Sequence, residues 1–262
     1  MNTFGRIDQD RDCVSHYIRF RHEGRVSYGL VQQQQVYRLE GTPFDDPKPI
    51  SGPLDMDDVE ILAPCEPTKI LAVGLNYANH MPDRPRPANP ELFLMPVSAI
   101  LAPGGTIMIP PGTSQCEAEG EMVVVVGRQA KCVPVEKAGQ YIFGITCGND
   151  VSARDWQRRD LQWWRAKGCD TFAPFGPAIA TGLPFDDLLL TTRINGRVCQ
   201  QQRTSEMLFN ACQILSFASQ FMTLMPGDII YTGTPGDTYR IIPGDVVEVE
   251  LEGVGVLRNT VA

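Results

Sequence analysis

Residues 117–127 read EAEGEMVVVVG, and the four consecutive valines limit the fold more than any other stretch. β-Branched side chains are stiff about χ1 and favour pleated backbone. In a strand, successive side chains point to opposite faces. A run with no polar alternation offers neither face to water, so its sheet must be covered on both sides.

Immediately before the run stand Glu117, Glu119 and Glu121. In one continuous strand they share a face, neighbours lying roughly 6–7 Å apart. Two carboxylates that close repel by about 2–3 kcal/mol at an effective dielectric near 20. Solvent, arginines, protons or a cation must offset that cost. A solvated strand face explains alternate acids as readily as a binding site does. Their place at the entrance to a covered strand also makes them the rim of a site.

The 262 residues suffice for a sizeable core, in one large domain or two unequal ones. A hydrophobic content of 43% and a charged content of 21% are ordinary for a globular chain. The net charge of −8 argues against a nucleic-acid surface and against docking on anionic lipid. It leaves room for a small anionic substrate, because local charge can oppose the global sign. No apolar run reaches the roughly 18–20 residues of a membrane span, and the first residues lack an apolar signal segment. Eight cysteines without a CxxC pair read as free thiols of a reducing cytoplasm. No Cys/His spacing suits zinc.

Residues 1–14 are polar and expected to be a flexible N-terminus. Short strands and turns fill a small N-terminal piece, 15–65, and a large unit spans 66–262. SARDWQRRDLQWW (152–164) reads as a charged helix. SEMLFNACQILSFASQF (205–221) reads as an amphipathic helix, with Ser205 or Thr204 as its cap. Strands outnumber helices without a βαβ alternation, which favours an α+β fold with a β-rich core over a doubly wound sheet.

Four positions could carry chemistry. Asp150, in CGNDVSARD, ends an apolar strand and serves either as a helix N-cap or as a third carboxylate. Meeting two of the glutamates, it would complete an oxygen-only set suited to Mg²⁺, Ca²⁺ or Mn²⁺. His80, in GLNYANHMPDRP, is the acid/base candidate among three histidines, with Asp83 three residues on to orient it; a surface histidine is the commoner fate. Lys167, in WWRAKGCD, is either a partner for a developing enolate or a snorkelling surface lysine. TGTPGD (232–237) can present Thr234 and backbone N–H groups to a small anion. It lacks the lysine of a phosphate loop, which excludes nucleotide binding.

These stretches together resemble the fumarylacetoacetate hydrolase superfamily. VGLNYANH, LFLMPVSAI, EGEMVVVVG, GNDVSARDWQRRD, QWWRAKGCDTFAPFGP, INGRVCQQQRTSEM, SQFMTLMPGDIIYTGTP and PGDVVEVELEGVGVLRN follow one another in the family's order. The resemblance implies a mixed β-roll with flanking helices, a small N-terminal β-rich domain and a homodimer. It implies one Mg²⁺ (or Mn²⁺ or Ca²⁺) per chain, held by Glu119, Glu121 and Asp150, with Glu117 outside. His80 matches a water-activating histidine, and Asp83 stands where some members carry a glutamate paired with it. Lys167 matches the lysine that holds the substrate oxyanion, and Arg154 and Gln157 match pocket positions. The implied chemistry is hydrolysis of a C–C bond in an acylpyruvate-like 2-oxo acid. Decarboxylation or keto–enol isomerisation on the same site is the second expectation, and a non-catalytic relative the third. Two departures bear on substrate. Met95 replaces the usual lysine of LFLKP, and GDTYRII follows TGTP, where Arg240 stands as a replacement cation.

Overall fold

The structure is a computed structural model that describes residues 14–80 and 85–262. Asp83 lies outside the described residues. The valine run forms the strand Gly120–Val126, and every residue of it is buried. It lies between Ile142–Asn149 and Ile229–Tyr231 in a 12-stranded mixed sheet. Both pairings are antiparallel, and Ile229–Tyr231 pairs in parallel with Ile70–Gly74.

The cover required on both sides is present. Met122, Val124 and Val126 face a core shared with Leu190, Val249, Leu251 and Leu257 of a five-stranded sheet, and with Ile214, Leu215 and Ala218 of a helix. Val123 and Val125 face the opposite core, beside Ile70, Phe175, Ile179 and Tyr231. At roughly 1.5–3 kcal/mol per buried valine, the run contributes about 6–12 kcal/mol of transfer free energy. Ser15–His22 pairs with Ala173–Thr181, so the N-terminal strands continue the large sheet. The fold is β-rich and mixed, with few and short helices.

Both expected helices are shorter in fact. The amphipathic one spans Ala211–Phe221, and its cap is Asn210, in a reciprocal box with Gln213. Thr204 and Ser205 belong to a separate 3-10 turn. The backbone between is captured elsewhere: Tyr77 bridges Met207, and the Asn76 side chain accepts from Phe209 N at 2.9 Å. The charged stretch divides into Arg154–Arg159 and Trp164–Gly168. Asp160 stops the first piece with an extended backbone, and Arg165 holds its carboxylate at 2.5 and 2.8 Å. The seven described cysteines are free thiols. Among the described residues, no helix is long and apolar enough to cross a membrane.

Candidate active site

The strand does not run unbroken through the acids. It stops at Ala118 and restarts at Gly120, leaving Glu119 at the junction. Gly120 fits there because it lacks a Cβ, which would lie 1.9 Å from Thr192 Oγ1. The Asn149 side chain accepts from Glu119 N at 2.9 Å, and Asp150 N donates to Glu119 O at 2.9 Å. These bonds hold Glu119 against the end of the neighbouring strand. One carboxylate oxygen each from Glu119, Glu121 and Asp150 then lies within 4.8 Å of the others, all three residues being buried. Glu117 turns away to Arg154 at 2.8 Å, and to Thr238 and Gln115. Asp150 caps no helix, since the next one begins at Arg154.

Two cations enter the cluster. Lys167 is 3% exposed, so it does not snorkel. Its Nζ donates to Glu119 Oε2 at 2.7 Å and to Asp150 Oδ2 at 2.6 Å. Arg154 donates to Glu117 and Glu119, and Ser152 Oγ to Glu119 Oε1 at 2.9 Å. Burial alone would raise the Glu119 carboxyl, but Lys167 and then Arg154 outweigh it and hold it down to about 2. Asp150 shares Lys167 yet moves the other way, to about 6, because burial outweighs that one direct cation. Glu121 is raised well above the ordinary range by burial first and then by the charges of Asp150 and Glu119. Lys167 keeps its proton: burial opposes the charge, but Asp150 and Glu119 outweigh it.

The residues fit a hard divalent cation. Their donors are all carboxylate oxygens, and Asp150 Oδ1 is buried with no hydrogen-bond partner among the described residues. Four carboxylates (Glu117, Glu119, Glu121 and Asp150) face two cations, Arg154 and Lys167. With all four ionised the surplus is two negative charges, the charge such an ion neutralises. Glu119, Glu121 and Asp150 can therefore hold a divalent metal.

His80 closes a 3-10 turn, Ala78–His80, and its Nδ1 lies 2.5 Å from Gly236 O. A backbone carbonyl only accepts, so Nδ1 carries the hydrogen. The neutral ring then keeps its lone pair on Nε2. Gly236 N in turn donates to Asn79 Oδ1 at 3.0 Å. The loop that ends at Gly236 is tied to the acids. Gly233 N donates to Glu121 Oε2 at 2.6 Å, from a backbone at φ +99° where a Cβ would crowd Asn76 at 2.7 Å. Thr234 Oγ1 donates to Gly120 O at 2.9 Å. Buried Gln200 joins the two sides: its Oε1 accepts from Gly120 N at 3.1 Å, and its Nε2 donates to Thr234 Oγ1 at 2.9 Å and Pro235 O at 2.7 Å.

A cavity of about 580 Å³ lies over the cluster. His80, Glu119, Glu121, Asp150, Arg154, Gln157, Lys167 and Thr234 all line it. Met95 does not: it is buried in the core beneath the sheet. Arg240 does not either; it is exposed and paired across from Glu117 in a three-stranded sheet. Sequence reasoning missed Arg158, Phe93 and Trp163 on the cavity wall, and the braces Asn76, Asn149 and Gln200. Gln200 is one of three consecutive glutamines, and only strand phase distinguishes the buried one.

Comparison with known proteins finds two family models and several similar chains. The family model described as fumarylacetoacetate (FAA) hydrolase C-terminal matches residues 69–262, and one described as Rv2993c-like, N-terminal, matches residues 15–64. Protein Rv2993c of Mycobacterium tuberculosis is 47% identical over 239 residues, covering 89% of this chain and 90% of that protein. The mitochondrial oxaloacetate tautomerase FAHD2A of Bos taurus is 40% identical over 259 residues, covering 93% of this chain and 79% of that protein. The crystal structure of 5-carboxymethyl-2-hydroxymuconate delta-isomerase from Mycobacterium smegmatis superposes with a TM-score of 0.90 at 40% identity, covering 94% of this chain and 99% of that one.

Proposed function

This chain belongs to the fumarylacetoacetate hydrolase family, and from that premise we propose a divalent-metal-dependent isomerase that moves a proton between the keto and enol forms of a small 2-oxo acid. The observation that carries the reading is the His80 ring. Its Nδ1 is fixed on Gly236 O, so Nε2 is the basic atom, in the same cavity as Glu119, Glu121 and Asp150. Mg²⁺ or Mn²⁺ held by those three carboxylates would polarise the oxo-acid oxygens and acidify the adjacent C–H. His80 Nε2 takes that proton and returns it to the oxygen, or the reverse. Lys167 spends two of its three N–H bonds on Glu119 and Asp150 and offers the third to the enolate oxygen. Arg154 and Gln157 hold the acid's plane, and Asp83 stands three residues beyond His80. The tautomerase and isomerase names of relatives at 40% identity support this order of preference.

Hydrolysis of an acylpyruvate by the same histidine is the second reading. The cavity of about 580 Å³ has room for it, because a water needs only about 30 Å³ beside the acid. The test follows the ultraviolet absorbance of enol-oxaloacetate with Mg²⁺-loaded protein, and acetylpyruvate cleavage in parallel. We expect accelerated ketonisation that EDTA abolishes. His80→Ala should lose roughly 10²–10⁴-fold in kcat and still bind Mg²⁺. A variant as fast as the parent refutes the base assignment. Acetylpyruvate cleavage without ketonisation replaces the first reading with the second.

A further inference from the structure

We infer that Asn79 is a positioning residue: through the Gly236 peptide it fixes the ring of His80, the role expected of Asp83; its effect on turnover rests on the proton-transfer reading above. Asn79 and His80 are consecutive residues of one 3-10 turn, and both reach the same residue of the loop opposite. His80 Nδ1 lies 2.5 Å from Gly236 O, and Asn79 Oδ1 accepts from Gly236 N at 3.0 Å. The Nδ1 hydrogen that an orienting carboxylate would take is thus committed to a backbone carbonyl. These are the two hydrogen bonds that Gly236 makes among the described residues.

That carbonyl needs a clamp. Gly236 sits at φ +61°, and a glycine backbone turns with little steric resistance. A Cβ built on it would meet only Asn79 Nδ2 within 4 Å, at 3.8 Å, so packing does not hold the peptide. The residues before it are tied to other partners, Gly233 to Glu121, Thr234 to Gly120 and Pro235 to Gln200, and Asp237 after it is exposed. The turn that carries Asn79 is anchored by contrast. His80 N donates to Tyr77 O at 3.1 Å, Tyr77 bridges Met207, and buried Asn76 donates to Phe209 O at 3.0 Å and Thr232 O at 2.6 Å. Asn79 passes that anchorage to Gly236, and Gly236 O passes it to the ring. With Asn79 truncated the carbonyl can swing away from Nδ1. Nothing then excludes the Nε2–H tautomer, in which Nε2 has no lone pair to accept a proton.

The test is ¹H–¹⁵N NMR of the histidine rings in the metal-free full chain at pH 8, with kcat and KM for enol-oxaloacetate measured on the Mg²⁺-loaded protein. The chain has three histidines, and His80→Ala identifies the signal of His80. The parent should show the Nδ1–H tautomer. Asn79→Ala, the truncation of an exposed side chain, should show a mixture of both tautomers. It should lower kcat by roughly 2- to 12-fold, the worth of one neutral hydrogen bond, with KM nearly unchanged. Asn79→Asp keeps an oxygen for Gly236 N and should restore the Nδ1–H form. A pure Nδ1–H signal in Asn79→Ala overturns the proposal. Loss of that signal in Asp83→Asn returns the role to Asp83 and overturns it as well. A parent in the Nε2–H form removes both the proposal and the base assignment of His80. A tautomer that responds to Asn79→Ala in a protein without ketonisation activity upholds the positioning and refutes the isomerase reading alone.

Discussion

Replacing Glu121 by glutamine should make the metal-free protein more stable while abolishing its response to Mg²⁺. The three ligand oxygens lie within 4.8 Å of one another, and at that distance each ionised pair repels by about 3.5 kcal/mol at an effective dielectric near 20. Two cations relieve Glu119, but Glu121 has no direct cation, and its carboxyl is raised well above the ordinary range. Without metal, ionised Glu121 is therefore a liability that protonation removes. A neutral amide in its place removes the liability at every pH and keeps an oxygen for Gly233 N, which lies 2.6 Å from the carboxylate. With metal the sign reverses, because the same charge becomes a ligand. The assay is thermal unfolding in EDTA and across a Mg²⁺ titration. At free Mg²⁺ 100 times Kd the parent should gain about 2.7 kcal/mol, a Tm rise of roughly 5–10 °C for a chain of this size. Glu121→Gln should melt at or above the parent in EDTA at pH 8 and rise by less than about 2 °C with Mg²⁺. A full parental Mg²⁺ shift in the variant would refute the three-carboxylate site. A variant much less stable than the parent in EDTA would refute the repulsion on which the site's affinity rests.

Three further outcomes follow from the same geometry. Metal-free protein should lose stability as pH rises from about 5 through 7: burial pushes the Asp150 carboxyl from 3.8 up to about 6, and Glu121 too is raised well above its ordinary range, so the folded state binds more protons there. Mg²⁺-loaded protein should show a nearly flat profile in denaturant titrations over that window, since bound metal would keep those carboxyls ionised in the folded state and the unfolded ones are ionised above about pH 5; equal slopes with and without metal would refute the linkage. Gln200→Ala strips partners from Gly120 N, Thr234 Oγ1 and Pro235 O, and should cost about 1–3 kcal/mol of stability and lower kcat more than it changes KM. A variant matching the parent in both would deny the brace a role. Gly120→Ala places a methyl 1.9 Å from Thr192 Oγ1, and should unfold below the parent by at least about 2 kcal/mol, with Thr192→Ala in the same chain recovering part of the loss. A single variant of parental Tm would contradict that close approach.

Much of the site is legible one residue at a time. The unbroken valines demand a doubly covered strand because a pleated backbone shows side chains to both faces, and Met122 through Val126 do divide between two cores. The acid count, the lone histidine of the large unit and Lys167 could be named for the same kind of reason: charge beside a buried strand needs compensation. Where each helix begins was less legible. Local capping chemistry favoured Thr204 or Ser205, but Asn76, distant in sequence, takes the backbone at Phe209 and delays the helix to Asn210.

The sequence by itself determined the central strand and the types of group that could meet at its mouth, because strand period and charge are local properties. Only the tertiary structure decided which of them meet. A one-residue break at Glu119 separates Glu117 from the pair that joins Asp150. A carbonyl more than 150 residues away fixes the His80 tautomer. The loop that ends there selects Gln200 from three adjacent glutamines, and ion pairing leaves Arg158 as the cavity cation without a described carboxylate partner. Hydrogen bonds and ion pairs depend on distance in space, and distance in space is set by how the sheets close.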